Sequence, residues 1–167
     1  HEIVTTAKLF SKDAFETFPT FSPDGKTLYF CTAPARPIPE EFSEIKYNLC
    51  AIGFDPDSRS FGSKVDTLYN AAVSGQSASF PRVSPDGKYL MYTVSGYGNF
   101  SIWHKDADLQ MADLSTGESI PLDILNSNDV ESYHSWSSNS RWVIFSSRRM
   151  DGLYTRPYIA YIDEKGN

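Results

Sequence analysis

The stretch FPTFSPDGKTLYF occupies Phe18 to Phe30, and further along the chain nearly the same stretch, FPRVSPDGKYLMY, occupies Phe80 to Tyr92. A third and less regular copy, YHSWSSNSRWVIF, runs from Tyr133 to Phe145. Internal repetition at a fixed period is typical of proteins that stack one supersecondary unit on its neighbours. The repeat therefore decides the fold class, and with it most of what the sequence predicts about function.

Each copy has the pattern of a strand, a tight turn and a second strand. The turn reads SPDGK in the first two copies and SSNSR in the third. Proline presets the backbone φ of a turn, aspartate bonds the local backbone, and glycine adopts a left-handed conformation without a steric penalty. In copy three, Asn139 also tolerates that conformation, so we expect the turn to be kept. The residues with this structural role are Pro23, Asp24, Gly25, Pro85, Asp86 and Gly87.

The segments after the turns, TLYF, YLMY and WVIF, are nearly continuous apolar runs, which indicates strands buried on both faces. Further strand patterns follow each hairpin, and no helical periodicity intervenes. They span Lys46–Phe54, Ser63–Tyr69, Asp108–Leu114, Ser119–Leu125 and Arg156–Asp163. Four-stranded antiparallel units in succession predict an all-β protein, a β-propeller with about three blades.

The predicted organisation is a single propeller region over residues 1–167. It begins with a leading outer strand over residues 2–10. The predicted blades are blade 1 over 15–69, blade 2 over 79–125, and blade 3 over 132–167 without its outer strand.

The lines PTFSPDGKTLYF and PRVSPDGKYLMY resemble the WD40-like repeat of TolB-type propellers, a bacterial envelope family. Trp136-Ser137 stands at the matching place in copy three, where His134 replaces the usual proline and the Asp-Gly pair is missing. The resemblance covers essentially the whole chain. It implies a periplasmic or cell-envelope setting and a docking or scaffold role, but no particular activity.

Three blades are too few to close a ring, because known propellers have about four to eight. We therefore expect a partial propeller, and two explanations remain open. Either the sequence is a fragment of a longer chain, which we favour, or two copies form a six-bladed homodimeric ring. In the second case the leading strand of one copy would complete the last blade of the other.

Composition narrows the classes of partner. The formal net charge is -6 over 167 residues, which argues against nucleic acid, because phosphate binding requires a basic surface. No apolar run approaches the roughly 20 residues of a membrane-spanning helix. Cys31 and Cys50 fall in neighbouring predicted strands, so a disulfide is conceivable, but two buried thiols are the simpler interpretation.

The loops that join the second and third strands of each blade are unusually long for hairpins. They span Ala33–Lys46, Ser95–Asp108 and Ser147–Pro157. Arginine forms hydrogen-bonded ion pairs with carboxylates or phosphates, and aromatic side chains stack on flat ligand faces. We therefore expect these loops to bind a protein, a glycan or an anionic ligand. The alternative is that the aromatic residues pack the loops while the charges stay solvated. The candidate ligand-binding residues are Tyr97, Trp103, His104, Arg148, Arg149, Tyr154 and Arg156.

No catalytic motif is recognisable: neither GxSxG, nor HExxH, nor a glycine-rich phosphate loop occurs. His104 and His134 are weak candidates for a metal site, and structural roles suit them better. We therefore predict no cofactor and a non-enzymatic binding or scaffold module. The alternative is the propeller part of an enzyme, since related repeats occur in prolyl-peptidase-like hydrolases and in metal-dependent polysaccharide lyases.

Overall fold

The computed structural model describes residues 2–9 and 11–166. These residues form three antiparallel sheets, in which consecutive strands are neighbours. We call the sheets blades 1, 2 and 3. Blade 1 contains β1 (Ala14–Phe21), β2 (Thr27–Pro34), β3 (Asn48–Asp55) and β4 (Ser60–Tyr69).

Blade 2 contains β5 (Ser77–Val83), β6 (Tyr89–Ser95), β7 (Asp108–Asp113) and β8 (Ser119–Ile120). Blade 3 contains β9 (Glu131–Trp136), β10 (Trp142–Ser147) and β11 (Arg156–Tyr161). The described helices are one turn of α-helix, α1 (Ala71–Ser74), and 3-10 turns at Phe42–Glu44 and Ser101–Trp103. None of the described helices is long and apolar enough to span a bilayer.

Two predicted strands differ from the structure. Residues 2–9 form no strand, and Phe10, the last residue of the predicted leading strand, lies outside the described residues. Leu9 instead packs its side chain on an apolar cluster of blade 1. The outermost strand position of that blade is already filled by β4. The strand predicted over Ser119–Leu125 ends at Ile120, because Pro121 has no backbone N–H to donate to the ladder.

Side chains of the strands that follow the turns alternate between the two neighbouring blades. Tyr29 of β2 belongs to the same buried apolar cluster as Leu90 of β6, and Met91 of β6 belongs to the same cluster as Val143 of β10. The repeat position of Leu90 and Val143 therefore faces the preceding blade. The next position, that of Tyr29 and Met91, faces the following blade. We call these surfaces the preceding face and the following face of a blade. Burial of such apolar side chains, at roughly 1.5–3 kcal/mol each, holds blade on blade.

The three turns share one hydrogen-bond pattern. Ser22 Oγ accepts from the N–H of Thr27, and Asp24 Oδ1 accepts from Ser22 Oγ and from the N–H of Lys26. The same bonds recur in copy two, and Ser137 and Asn139 make them in copy three. The left-handed position of copy three is taken by Ser140 rather than by Asn139, with φ +59°.

Changing Gly25 to alanine should lower the free energy of unfolding by about 1 kcal/mol, because φ is +70° there and a Cβ would meet no neighbour. The loss would thus come from backbone strain alone. Gly53→Ala is the matched control, since a Cβ there is equally unobstructed and φ lies outside the left-handed region. Urea denaturation of both variants measures the difference. Equal losses in the two variants would contradict this explanation.

The two cysteines lie on neighbouring strands but on opposite faces of blade 1. Cys50 is the register partner of Phe30, and Cys31 is the register partner of Leu49. Successive side chains of a strand point to opposite faces, so the two sulfurs cannot meet. Both are free, buried thiols, and burial raises the pKa of each.

Candidate functional site

The long loops between second and third strands lie together at one end of the sheets, opposite the SPDGK turns. We call this end the loop face and define it by residues 35–47, 96–107 and 148–155. Segment 121–130, which connects blades 2 and 3, contributes to the same end.

The first two loops of the loop face interlock. The N–H of Gly98 donates to the carbonyl of Ile45 at 2.7 Å, and Asn99 Nδ2 donates to the carbonyl of Phe42 at 3.1 Å. The rings of Phe42 and Tyr97 meet edge to face with centroids 5.6 Å apart. Gly98 passes so close to a buried tyrosine ring that a Cβ would collide with it. The two loops therefore hold a fixed relative position.

His104 supports this loop from within. Its side chain is buried, and its Nε2 donates to the carbonyl of Asn99 at 2.9 Å. The ring of Tyr97 packs on it with centroids 4.0 Å apart, and Nδ1 lies 3.8 Å from Asp106 Oδ1. These contacts place the imidazole inside the loop rather than toward a ligand.

Arg148 joins the second loop to the third. Its guanidinium lies over the ring of Trp103, 5.2 Å from the centroid, and pairs with Asp129 at 3.4 Å. The arginine is buried, and its Nε has no hydrogen-bond partner among the residues that the structure describes. Trp103 itself is 70% exposed. The arginine therefore orients an aromatic ring that remains open to solvent on its other side.

Arg149 belongs to a buried network centred on Glu131, whose side chain is fully inaccessible to solvent. Glu131 accepts from Arg149 NH2 at 2.9 Å, from Ser147 Oγ at 2.8 Å, and from the N–H and Oγ of Ser127 at 2.9 and 2.7 Å. Arg149 also donates to the carbonyl of Leu125. This network fastens segment 121–130 to the end of β10.

Arg156 pairs with Asp151 at 2.7 Å. The N–H groups of Tyr154 and Leu153, followed by Arg156, lower the pKa of Asp151 to about 2. The three arginines singled out from the sequence thus each have a carboxylate partner, and their charge is largely neutralised within the loop face. The sequence did not indicate the pairs of Arg148 and Arg149, because Asp129 and Glu131 lie in a different segment of the chain from these arginines.

The loop face exposes a set of large apolar and aromatic side chains instead. Among the sequence candidates, Trp103 and Tyr154 belong to this set. The others were missed, although an apolar residue inside a polar loop was a signal that could have found them. The exposed residues are Ile38, Phe42, Phe100, Trp103, Met150, Leu153 and Tyr154.

His134 lies apart from this surface, in the interface between blades 2 and 3. It is fully buried, and its Nε2 donates to the carbonyl of Met91 at 3.0 Å. It stands at the repeat position of Pro19 and Pro81, and proline could not make that bond. Within residues 2–9 and 11–166, no three side chains of the metal-binding types come together in an arrangement that could hold a metal.

Comparison with solved structures is consistent with this arrangement of blades. A protein assigned to TolB from Agrobacterium tumefaciens superposes with a TM-score of 0.58 at 17% identity, over 93% of this chain and 48% of that one. The chain is part of a β-propeller. Prolyl oligopeptidase B from Galerina marginata gives a TM-score of 0.61 at 12% identity, over 99% of this chain and 23% of that one.

An oligogalacturonate lyase from Vibrio parahaemolyticus gives a TM-score of 0.52 at 14% identity, over 95% of this chain and 38% of that one. This partial propeller therefore spans about half or less of each of these proteins. No protein-family model and no curated protein sequence matches the chain. Identities this low establish the fold alone, because one fold serves many functions.

Proposed function

We propose that this partial propeller is a non-enzymatic module that binds a protein partner through the loop face. The observation that supports it is the set of exposed apolar and aromatic side chains on interlocked loops. Aromatic residues and methionine are enriched at the centres of protein interfaces. Because the loops are held in place, binding would cost little ordering entropy.

The chemistry of the loop face favours a protein over an anionic ligand. An anionic ligand needs cations that are free to pair with it, whereas Arg148, Arg149 and Arg156 are paired with Asp129, Glu131 and Asp151. A glycan could stack on Trp103, but the largest exposed apolar side chains of the loop face, Phe100, Met150 and Leu153, offer it no hydrogen-bonding group.

The TolB-like character and the cell-envelope setting are part of this proposal. They are supported by the SPDGK repeat and by the similarity of fold to the Agrobacterium protein. The second candidate function is the propeller part of a larger enzyme, which the similarity of fold to a prolyl oligopeptidase and to a lyase favours. No group in the described loop face has the geometry of a nucleophile with its base, so binding is the simpler assignment.

A quantitative affinity-capture experiment tests the proposed function. The double variant Phe100→Asp/Leu153→Asp should capture at least tenfold less partner than the wild-type chain does. Phe100 has φ +55°, a conformation that aspartate tolerates, so the fold should survive. Ile3→Asp is the control, because Ile3 is 88% exposed and follows Glu2, which pairs with Arg59 in the turn between β3 and β4, at the end opposite the loop face.

Two results would contradict the proposal. One is a partner retained equally by the wild type and the double variant. The other is a glycan screen in which the wild type binds a defined sugar while no protein is captured. Hydrolase or lyase activity in the purified chain would favour the second candidate.

A further inference from the structure

The sulfur atoms of the chain belong to two cysteines and three methionines, all of them among the described residues. Met91 and Met111 are register partners on the following face of blade 2, and both are buried in the apolar cluster between blades 2 and 3. Cys31 and Cys50 are buried thiols whose pKa is raised by burial, so neither has much thiolate character. These four side chains are therefore shielded from oxidants in solution.

Met150 differs from all four, because its side chain is open to solvent. It lies in the third loop of the loop face and is 72% exposed. A thioether has no proton to lose, so its reaction with an oxidant depends on access to the sulfur rather than on a pKa. Among the sulfur atoms of the described residues, that of Met150 is thus the accessible one.

The exposure of Met150 is imposed by a well-bonded turn. The carbonyl of Arg148 accepts from the N–H of Asp151 at 3.2 Å and from that of Gly152 at 2.8 Å. Asp151 Oδ1 accepts from two further N–H groups of the loop at 3.0 and 2.9 Å. The side chain of Arg148 is itself held by Asp129. Met150, at the tip of this turn, cannot reach the interior unless these bonds break.

We propose that Met150 is an oxidation site, and that its sulfoxide weakens binding through the loop face. The oxidant is a hydroperoxide, of which hydrogen peroxide is the simplest. The sulfur lone pair attacks one peroxide oxygen, an S–O bond forms and the O–O bond breaks. The proton of the transferred hydroxyl passes to the departing hydroxide, which leaves as water. The sulfur loses two electrons and the peroxide gains them.

The consequence for binding follows from the polarity of the product. A sulfoxide carries a hydrogen-bond acceptor where the thioether had none. Met150 belongs to the same exposed apolar set as Phe100 and Leu153. An apolar partner surface would bury the new oxygen without a donor, which opposes binding. This consequence rests on the proposed function, whereas the selectivity of oxidation does not.

Peptide mapping by mass spectrometry after graded treatment with hydrogen peroxide tests the site. We expect Met150 to take up oxygen at least tenfold faster than Met91 and Met111, which are internal controls in the same chain. Circular dichroism verifies that the treated protein keeps its fold. Similar rates at the three methionines, or a faster rate at a buried one, would overturn the proposal.

Retention on a phenyl column and affinity capture test the consequence. The treated wild type should elute earlier and should capture at least fivefold less of the protein that the untreated wild type retains. Met150→Leu is apolar and has no sulfur, so the same treatment should leave both of its readouts unchanged. Met150→Gln should behave as the oxidised chain does without treatment. Reduction by methionine sulfoxide reductase should restore the treated wild type.

The outcomes separate this proposal from the proposed function. If treated and untreated wild type capture equally while Phe100→Asp/Leu153→Asp captures less, the oxidation proposal is overturned and the proposed function stands. If treated Met150→Leu loses as much capture as the treated wild type, oxidation acts at another residue and the proposal fails. If neither oxidation nor the double variant reduces capture, both fail.

Discussion

Replacing Glu131 with alanine is expected to lower the free energy of unfolding by about 3–5 kcal/mol, because it removes one partner of a buried ion pair. Glu131 is inaccessible to solvent and accepts from Arg149, Ser127 and Ser147. Its loss leaves these donors without their acceptor in the interior. Segment 121–130 and the loop after β10 should lose their mutual attachment, and thermal or urea unfolding measures the effect.

Two further variants separate the buried charge from ordinary ion pairing. Glu164→Ala removes the exposed partner of Arg141, a contact of 2.7 Å, and should cost at most about 1 kcal/mol. Glu131→Gln retains an oxygen acceptor for the serines and should fall between the two alanine variants. A loss in Glu131→Ala no greater than that in Glu164→Ala would show that the network contributes little.

Acid should destabilise the interface between blades 2 and 3 in a pH range set by His134. Burial, together with the nearby Arg82, lowers the pKa of His134 from 6.5 to about 4. The folded state therefore favours the neutral imidazole. As the pH falls below 6.5, the unfolded chain binds a proton that the folded chain does not, so stability falls until about pH 4. The loss is of the order of 3 kcal/mol over that range.

Urea denaturation at pH 7.5, 5.5 and 4.2 measures this loss, with His134→Gln as the control. Glutamine does not titrate but can still donate to the carbonyl of Met91, so the wild type should lose more stability than the variant. Carboxylates such as Asp24 and Asp113, whose pKa is lowered by hydrogen bonds, lose their contribution only near and below their ordinary pKa of 3.8. Parallel curves for the two proteins from pH 7.5 to 4.2 would contradict the role of His134.

The arrangement of blades could be predicted because it follows from local signals. The SPDGK turns and the apolar strands after them repeat in the sequence, and each determines a hairpin without help from distant residues. The β-propeller architecture is confirmed. The strand predicted over residues 2–10 does not form in its described part, residues 2–9, because the pattern of apolar residues does not reveal whether a sheet edge is free to pair with them.

The candidate surface was harder to predict, since it depends on contacts between distant segments. The sequence indicated which loops would lie together at one end of the blades but gave no sign that Arg148 and Arg149 would pair with Asp129 and Glu131. Left-handed backbone at Phe18, Phe80 and Tyr133 was also not predicted, because phenylalanine and tyrosine rarely adopt it. Their repetition at one position in three strands was the available signal.

The irregular third copy has acquired bonds that the regular copies lack. Ser140, in place of glycine, accepts from the N–H of Asp86 at 2.9 Å, and His134, in place of proline, donates to Met91. Trp136 Nε1 also donates to the carbonyl of Arg82 at 3.2 Å. These bonds fix the position of blade 3 along blade 2. Blade 2 has Pro81, Val83 and Gly87 at the matching positions, and their side chains can make no such bonds to blade 1.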